Sequence, residues 1–234
     1  FRDRHHFRED VVIAAAGPFS FEEVLAVMRP HLPARFLPGV EPRRFERPAA
    51  AAREVIDRRA TDPPHLALGW HTPGRHSEER HALRLLSLIL GESASSRLFL
   101  ELREERGLCY QISSDVTFFH ETGAFEISAG LDPEGRGEAL ACIRREIRDL
   151  AENGPRPGEL ERAKRLAIAQ SKFGFETTAS HATWAGEGVL DFGRIPPPAE
   201  WRERVLAVSE AELPEAARGG FLNQSPALAE IRPE

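Results

Sequence analysis

Two hydrogen-bond donors, Arg103 and Tyr110, stand seven residues apart near the middle of this 234-residue chain. A guanidinium offers several N–H donors in a fixed fork. A phenol is a neutral donor that can follow a carbonyl oxygen as it becomes an oxyanion. The same two residue types also suit a purely structural reading, with Arg103 in an exposed ion pair to Glu104 or Glu105 and Tyr110 in a sheet core. Other chemistry is sparse. His76 and His81 are five apart, so on a helix they point about 140° from each other and read as a solvated helix start rather than as ligands of one metal. His65 and His71 share a strand face but are too far apart for one ion, and His5-His6 falls near the start of the chain. No Gly-x-Ser-x-Gly elbow is present, and residues 130–137 lack the lysine and spacing of a phosphate loop. Cys109 and Cys142 are too few for a disulfide framework, and Cys109 reads as a buried, inert thiol. No zinc site is expected in this chain.

The elements that must position Arg103 and Tyr110 are legible around them. Ser95 or Ser96 suits a helix N-cap. Leu98, Phe99 and Leu102 follow as an apolar stripe at helical spacing, and Arg97 and Glu101 are placed to pair on the exposed side. Gly107 stops the helix and lets Leu108 fold back onto Leu102. The period then changes to two. Leu108, Tyr110, Ile112, Ser114, Val116 and Phe118 fall on one strand face, with Cys109, Gln111, Ser113, Asp115 and Thr117 on the other. His120-Glu121-Thr122-Gly123 reads as a hairpin turn, after which Phe125, Ile127, Ala129 and Leu131 alternate with polar or small residues.

The rest of the chain fits around this unit. Residues 11–16 form a continuous apolar run, predicting a short buried strand. Ser20 and Glu23 form a capping box for a helix burying Phe21, Val24, Leu25 and Met28. Pro33, Pro38, Pro42 and Pro48 mark a linker over 33–52, ending in alanines. Residues 53–59 read as a polar edge strand, and Leu66, Leu68 and Trp70 as the inward face of a second strand. Residues 77–90 predict a strongly apolar helix ended by Gly91. Asp132-Pro133 opens another, with Leu140, Ile143, Ile147 and Leu150 as its buried stripe. Further helices are expected over 157–175, 178–190, 201–208 and 210–218, interrupted by Pro196-Pro197-Pro198, and a closing strand over 228–231. Strands segregated from helices predict an α+β fold, a mostly antiparallel sheet with helices packed on one face.

Composition sets the bounds. A charged content of 29% with 41% apolar residues is ordinary for a globular protein. The net charge of −6 argues against a nucleic-acid partner, which needs a basic face. No apolar run reaches the roughly 18–20 residues of a membrane span. The chain starts on Phe1, has Met28 as its only methionine, and reads as a fragment or processed piece. Nothing in it selects cytoplasm over periplasm.

The run Ser96-Arg97-Leu98-Phe99, then Leu102-Arg103, then Gly107-Leu108-Cys109-Tyr110, resembles the second half of the insulinase/pitrilysin family of zinc metallopeptidases, which includes processing-peptidase-like bacterial proteins. Gly91-Glu92-Ser93-Ala94-Ser95 and Glu159-Leu160-Glu161-Arg162-Ala163-Lys164 resemble its flanking motifs. The resemblance implies the metallopeptidase α/β roll. It implies residues 1–32 as a strand–helix remnant of a preceding domain, 33–52 as linker and 53–234 as the C-terminal domain. It implies that Arg103 and Tyr110 hydrogen-bond a peptide substrate at the scissile bond, opposite a zinc ion carried by another domain or subunit in a homodimer or heterodimer. The family's His-x-x-Glu-His motif is absent here, so the chain alone is expected to be inactive. A non-catalytic scaffold or assembly subunit on the same fold is the alternative.

Overall fold

The structure, a computed structural model, describes residues 8–39, 53–59 and 64–232. His5-His6, and Pro42, Pro48 and the alanines of the predicted linker, lie outside them. The chain divides into two compact units, Phe1–Arg44 with Ala169–Trp201, and Phe45–Ile168 with Arg202–Glu234. This division by contact crosses the sequence-based boundary at residue 53.

In the first unit, the predicted capping box forms. The Ser20 hydroxyl accepts from the Glu23 amide at 3.2 Å, and the Glu23 carboxylate accepts from the Ser20 amide at 2.7 Å. It starts α1, Phe21–Met28. The helix is less buried than its sequence suggests. Val24, Leu25 and Met28 are half-buried, while Phe21 stands open to solvent. Residues 11–16 form no strand among the described residues, and Val11 and Ile13 are exposed. An apolar run states a preference for burial without supplying the surface that buries it.

The second unit holds the sheet. Its strands are β1 Glu54–Arg58, β2 His65–Pro73, β3 Cys109–Phe118, β4 Thr122–Leu131 and β5 Ala227–Arg232, ordered β1-β5-β2-β4-β3. Only the β1–β5 pair is parallel, so the sheet is mostly antiparallel, and β1 is an exposed edge as its polarity predicts. One face is buried. Leu66, Leu68 and Trp70 on β2 and Phe125, Ile127 and Ala129 on β4 are almost inaccessible. Trp70, Phe125 and Phe221 pack edge to face with centroids 4.7 to 6.4 Å apart. The helices α2, Glu79–Leu90, and α3, Arg136–Asn153, supply the opposing layer. They bury Leu85, Leu86 and Leu90 from the first and Ile143, Ile147 and Leu150 from the second. Asp132 caps a turn through the Glu134 amide rather than the helix itself, which begins four residues later.

α2 ends at Gly91, where a Cβ would lie 2.5 Å from the Ser114 amide nitrogen, so only glycine lets the helix end meet β3 this closely. The remaining helices are α4 Glu159–Gly174, α5 Thr178–Phe192, α6 Pro198–Ala207 and α7 Glu212–Ala217. The fold is the α+β arrangement that the sequence predicts.

Candidate functional site

Arg103 lies in a π-helical turn, Phe99–Glu105. Such turns carry one residue more than an α-helix and recur at functional sites. Gly107 ends the turn at φ +62°, a left-handed conformation that costs other residues roughly 1–2 kcal/mol. Gly107→Ala is therefore expected to destabilise the fold by about that much, read from the urea midpoint. The Leu108 amide closes the turn onto the Leu102 carbonyl at 2.7 Å. That bond reaches six residues back, one more than the 6→1 bond of a Schellman cap, as an extra residue in the turn requires. Leu108 folds inward as predicted.

The strand after this turn departs from the predicted alternation at once. Cys109 opposes Leu131 while Gln111 opposes Gly130, so Tyr110 is an extra residue, a β-bulge. A bulge re-aims side chains. Cys109 turns into the core and Tyr110 out, with 65% of its surface exposed. Tyr110 therefore does not share the buried face of Ile112 and Val116, and the sheet-core reading of it fails. Its hydroxyl makes no hydrogen bond among the described residues. Cys109 is buried as expected, and burial raises its thiol pKa against the opposing charge of Arg103.

The other arginines of this stretch show what sets Arg103 apart. Arg97 does not pair with Glu101. It is buried, its Nε and Nη2 clamp Glu159 at 2.6 to 3.1 Å, its Nη1 meets Asp149 at 2.9 Å, and its Nη2 reaches the Gly154 carbonyl at 3.2 Å. Arg156 joins through Glu146 at 2.7 Å and Asp149 at 3.2 Å. The Asp149 carboxyl is held below its ordinary range by the Asn153 amide, with the two arginines adding to the effect. Arg106 donates to Glu101 and Glu138. Arg103 enters neither network. Its guanidinium sits 4.8 Å from the Phe99 ring centre, and its nearest carboxylate is Glu104 at 3.9 Å, both side chains about half exposed. That pair is worth little in water.

Ser96 also departs from its predicted role. Its hydroxyl is buried without a hydrogen-bond partner, so it caps nothing. The buried Arg97 cluster went unread for a plain reason: an Arg and a Glu four apart look like a surface pair whether or not a helix from elsewhere covers the arginine.

The described residues do not fit a zinc ion. No group of three or more His, Cys, Asp or Glu among the described residues could hold a metal. The His76 Nε2 meets the His120 Nδ1 at 3.2 Å, while His81 lies buried in the core with its Nε2 unpartnered. The predicted solvated helix start is thus wrong for His81. Burial, with the Arg80 charge second, lowers its pKa from 6.5 to about 4. The unfolded chain therefore takes up this proton first as pH falls. The stability due to neutral His81 is complete above about pH 6.5 and is lost toward pH 4. His81→Leu is expected to flatten that part of a plot of urea midpoint against pH; an unchanged slope contradicts this.

Arg103 and Tyr110 stand open rather than in an enclosed pocket. A cavity of about 740 Å³ lies elsewhere, between the β1–β5 edge and α3, lined in part by Arg53, Arg136 and Leu228. No helix among the described residues is long and apolar enough to cross a membrane.

Residues 1–167 match the family model described as the peptidase M16 inactive domain. An uncharacterised zinc protease of Mycobacterium bovis is 32% identical over 198 residues, covering 83% of this chain and 45% of that protein. A conserved protein from Enterococcus faecalis has a TM-score of 0.80 at 20% identity, over 92% of this chain and 50% of that one. A peptidase M16 inactive domain from Pseudomonas fluorescens has a TM-score of 0.77 at 20% identity, over 92% of this chain and 52% of that one. The chain spans about half the length of the curated relatives it matches. It belongs to the insulinase/pitrilysin peptidase family, M16, and matches that family's inactive domain.

Proposed function

We propose that this chain is the substrate-binding, non-zinc half of an insulinase-like zinc metalloendopeptidase. Arg103 and Tyr110 face a zinc site carried by another domain or subunit, in a homodimer or heterodimer. The observation that carries this reading is the state of the two side chains. Both are exposed donors outside the ion networks of their own fold, and each sits where one extra residue breaks a regular element. Within the described fold Arg103 meets only the Phe99 ring and a weakly paired Glu104, and the Tyr110 hydroxyl makes no hydrogen bond.

In this reading, the guanidinium holds the peptide backbone of an extended substrate beside the scissile bond. The phenol donates to the carbonyl oxygen as negative charge builds on it, an interaction stronger in the transition state than in the ground state. The bound zinc, held by the other half, supplies the activated water. Residues 1–32 are then the end of a preceding domain, 33–52 a linker and 53–234 the C-terminal domain.

The test is peptide hydrolysis by the complete protein, or by this chain with its zinc-bearing partner. Activity is expected to vanish with a chelator, return with zinc, and fall at least tenfold in Arg103→Ala with unchanged zinc content. Assembly without hydrolysis, or full activity in Arg103→Ala, moves the reading to a scaffold subunit on the same fold.

A further inference from the structure

Glu101 sits in the same turn as Arg103 and accepts two hydrogen bonds, from Arg106 Nε at 2.5 Å and from Arg145 Nη2 at 2.8 Å. Arg106 donates in turn to Glu138 at 2.6 Å. Glu101 and Arg106 are five residues apart. On an α-helix that spacing turns two side chains about 140° from each other. A π turn closes its hydrogen bonds from i to i+5 and brings such residues to the same side. Arg106 caps the turn just past its last residue, Glu105, and its reach back to Glu101 fits the π register and opposes the α register. Arg145 and Glu138 both belong to α3, so the network also fixes the turn to a helix of the core layer. The Glu101 carboxyl is held below its ordinary range, first by the Arg106 hydrogen bond and further by Arg145; it stays charged and keeps the lock closed.

Arg103 lies between the two ends of this lock. Relaxing the turn to α geometry removes one residue from it and rotates the residues beyond by about 100°, which takes a side chain on that segment off its target. We infer that Glu101 is a positioning residue, holding the turn in its π register and so aiming Arg103 at the substrate. The inference rests on the role proposed above for Arg103.

The experiment is a double-mutant cycle on peptide hydrolysis by the complete, zinc-loaded enzyme, with Glu101→Leu, Arg103→Ala and both together. Glu101→Leu is expected to lower kcat/KM about tenfold, since small misplacements of positioned groups cost that much and more. In the Arg103→Ala background it is expected to cost nothing further. A merely structural Glu101 gives the same loss in both backgrounds, and that overturns the inference, as does a Glu101→Leu enzyme at the wild-type rate. Arg106→Gln opens the lock from its exposed side and is expected to repeat the pattern; it carries the test if Glu101→Leu does not fold. Arg103→Ala at the wild-type rate sinks the reading of Arg103 and this inference with it. An impaired Arg103→Ala beside a silent Glu101→Leu sinks the inference alone.

Discussion

Replacing Tyr110 with Phe in the complete, zinc-loaded enzyme is expected to lower kcat/KM for peptide hydrolysis about 10²-fold while the thermal midpoint stays within a degree or two. The second half follows from position. The phenol is 65% exposed and its oxygen bonds to nothing in the described fold, so its loss is a surface change, usually worth less than about 0.5 kcal/mol. The first half follows from chemistry. Removing one donor from an oxyanion site costs roughly 2.7–4 kcal/mol of transition-state stabilisation. A neutral donor bonds a ground-state carbonyl weakly, so the loss is expected in kcat with KM little changed. Wild-type kcat/KM in this variant contradicts the assigned role. An equal fall in stability and activity contradicts the claim that Tyr110 is free of the fold.

The largest effect on stability is expected at Arg97. Its side chain is 1% exposed and lies among Glu146, Asp149 and Glu159, the first and last nearly as buried. It ties the start of the Arg103 turn to α3 and α4. Arg97→Met keeps the length and apolar stem but removes the cation that clamps Glu159 and Asp149, leaving the three acidic groups to Arg156 and, at Glu146, Arg145. Breaking a buried pair from one side costs roughly 3–5 kcal/mol, a large share of a domain's net stability. Urea unfolding is expected to show a fall of that size. Arg97→Lys is expected to recover little of it, because a point charge does not reproduce the bidentate clamp on Glu159 and the separate bond to Asp149. A loss below about 1 kcal/mol in Arg97→Met contradicts the picture of the cluster as the anchor of the turn.

Periodicity made much of this fold legible. Alternation in 66–70 and 125–131, the Gly107 stop and the apolar stripe of α3 each follow from local rules that the tertiary structure respects. Two departures share a cause. The π turn and the bulge at Tyr110 are single-residue insertions, and one residue leaves the surrounding pattern almost intact. Counting by twos from Leu108 places Tyr110 on the face of Ile112 and Val116 and Cys109 on the opposite one, whereas the bulge turns Cys109 in and Tyr110 out. At Arg97 and His81 the error was different. Both read as surface residues because charge and imidazole usually are; the acidic groups of α3 and α4 enclose Arg97, and His81 is covered within the folded unit. Residues 11–16 are the reverse case, apolar but without a paired strand among the described residues.

The central claim is that this chain lends Arg103 and Tyr110 to a zinc site it does not itself contain. Its most direct test is calorimetric binding of a phosphinic peptide, a tetrahedral zinc-binding analogue of the transition state, to the complete enzyme and to its Arg103→Ala and Tyr110→Phe variants at equal zinc content. The account predicts that the analogue weakens in each variant by about the factor lost in kcat/KM. Undiminished affinity for the analogue in both variants would show that neither side chain meets the reacting group, and would contradict the account.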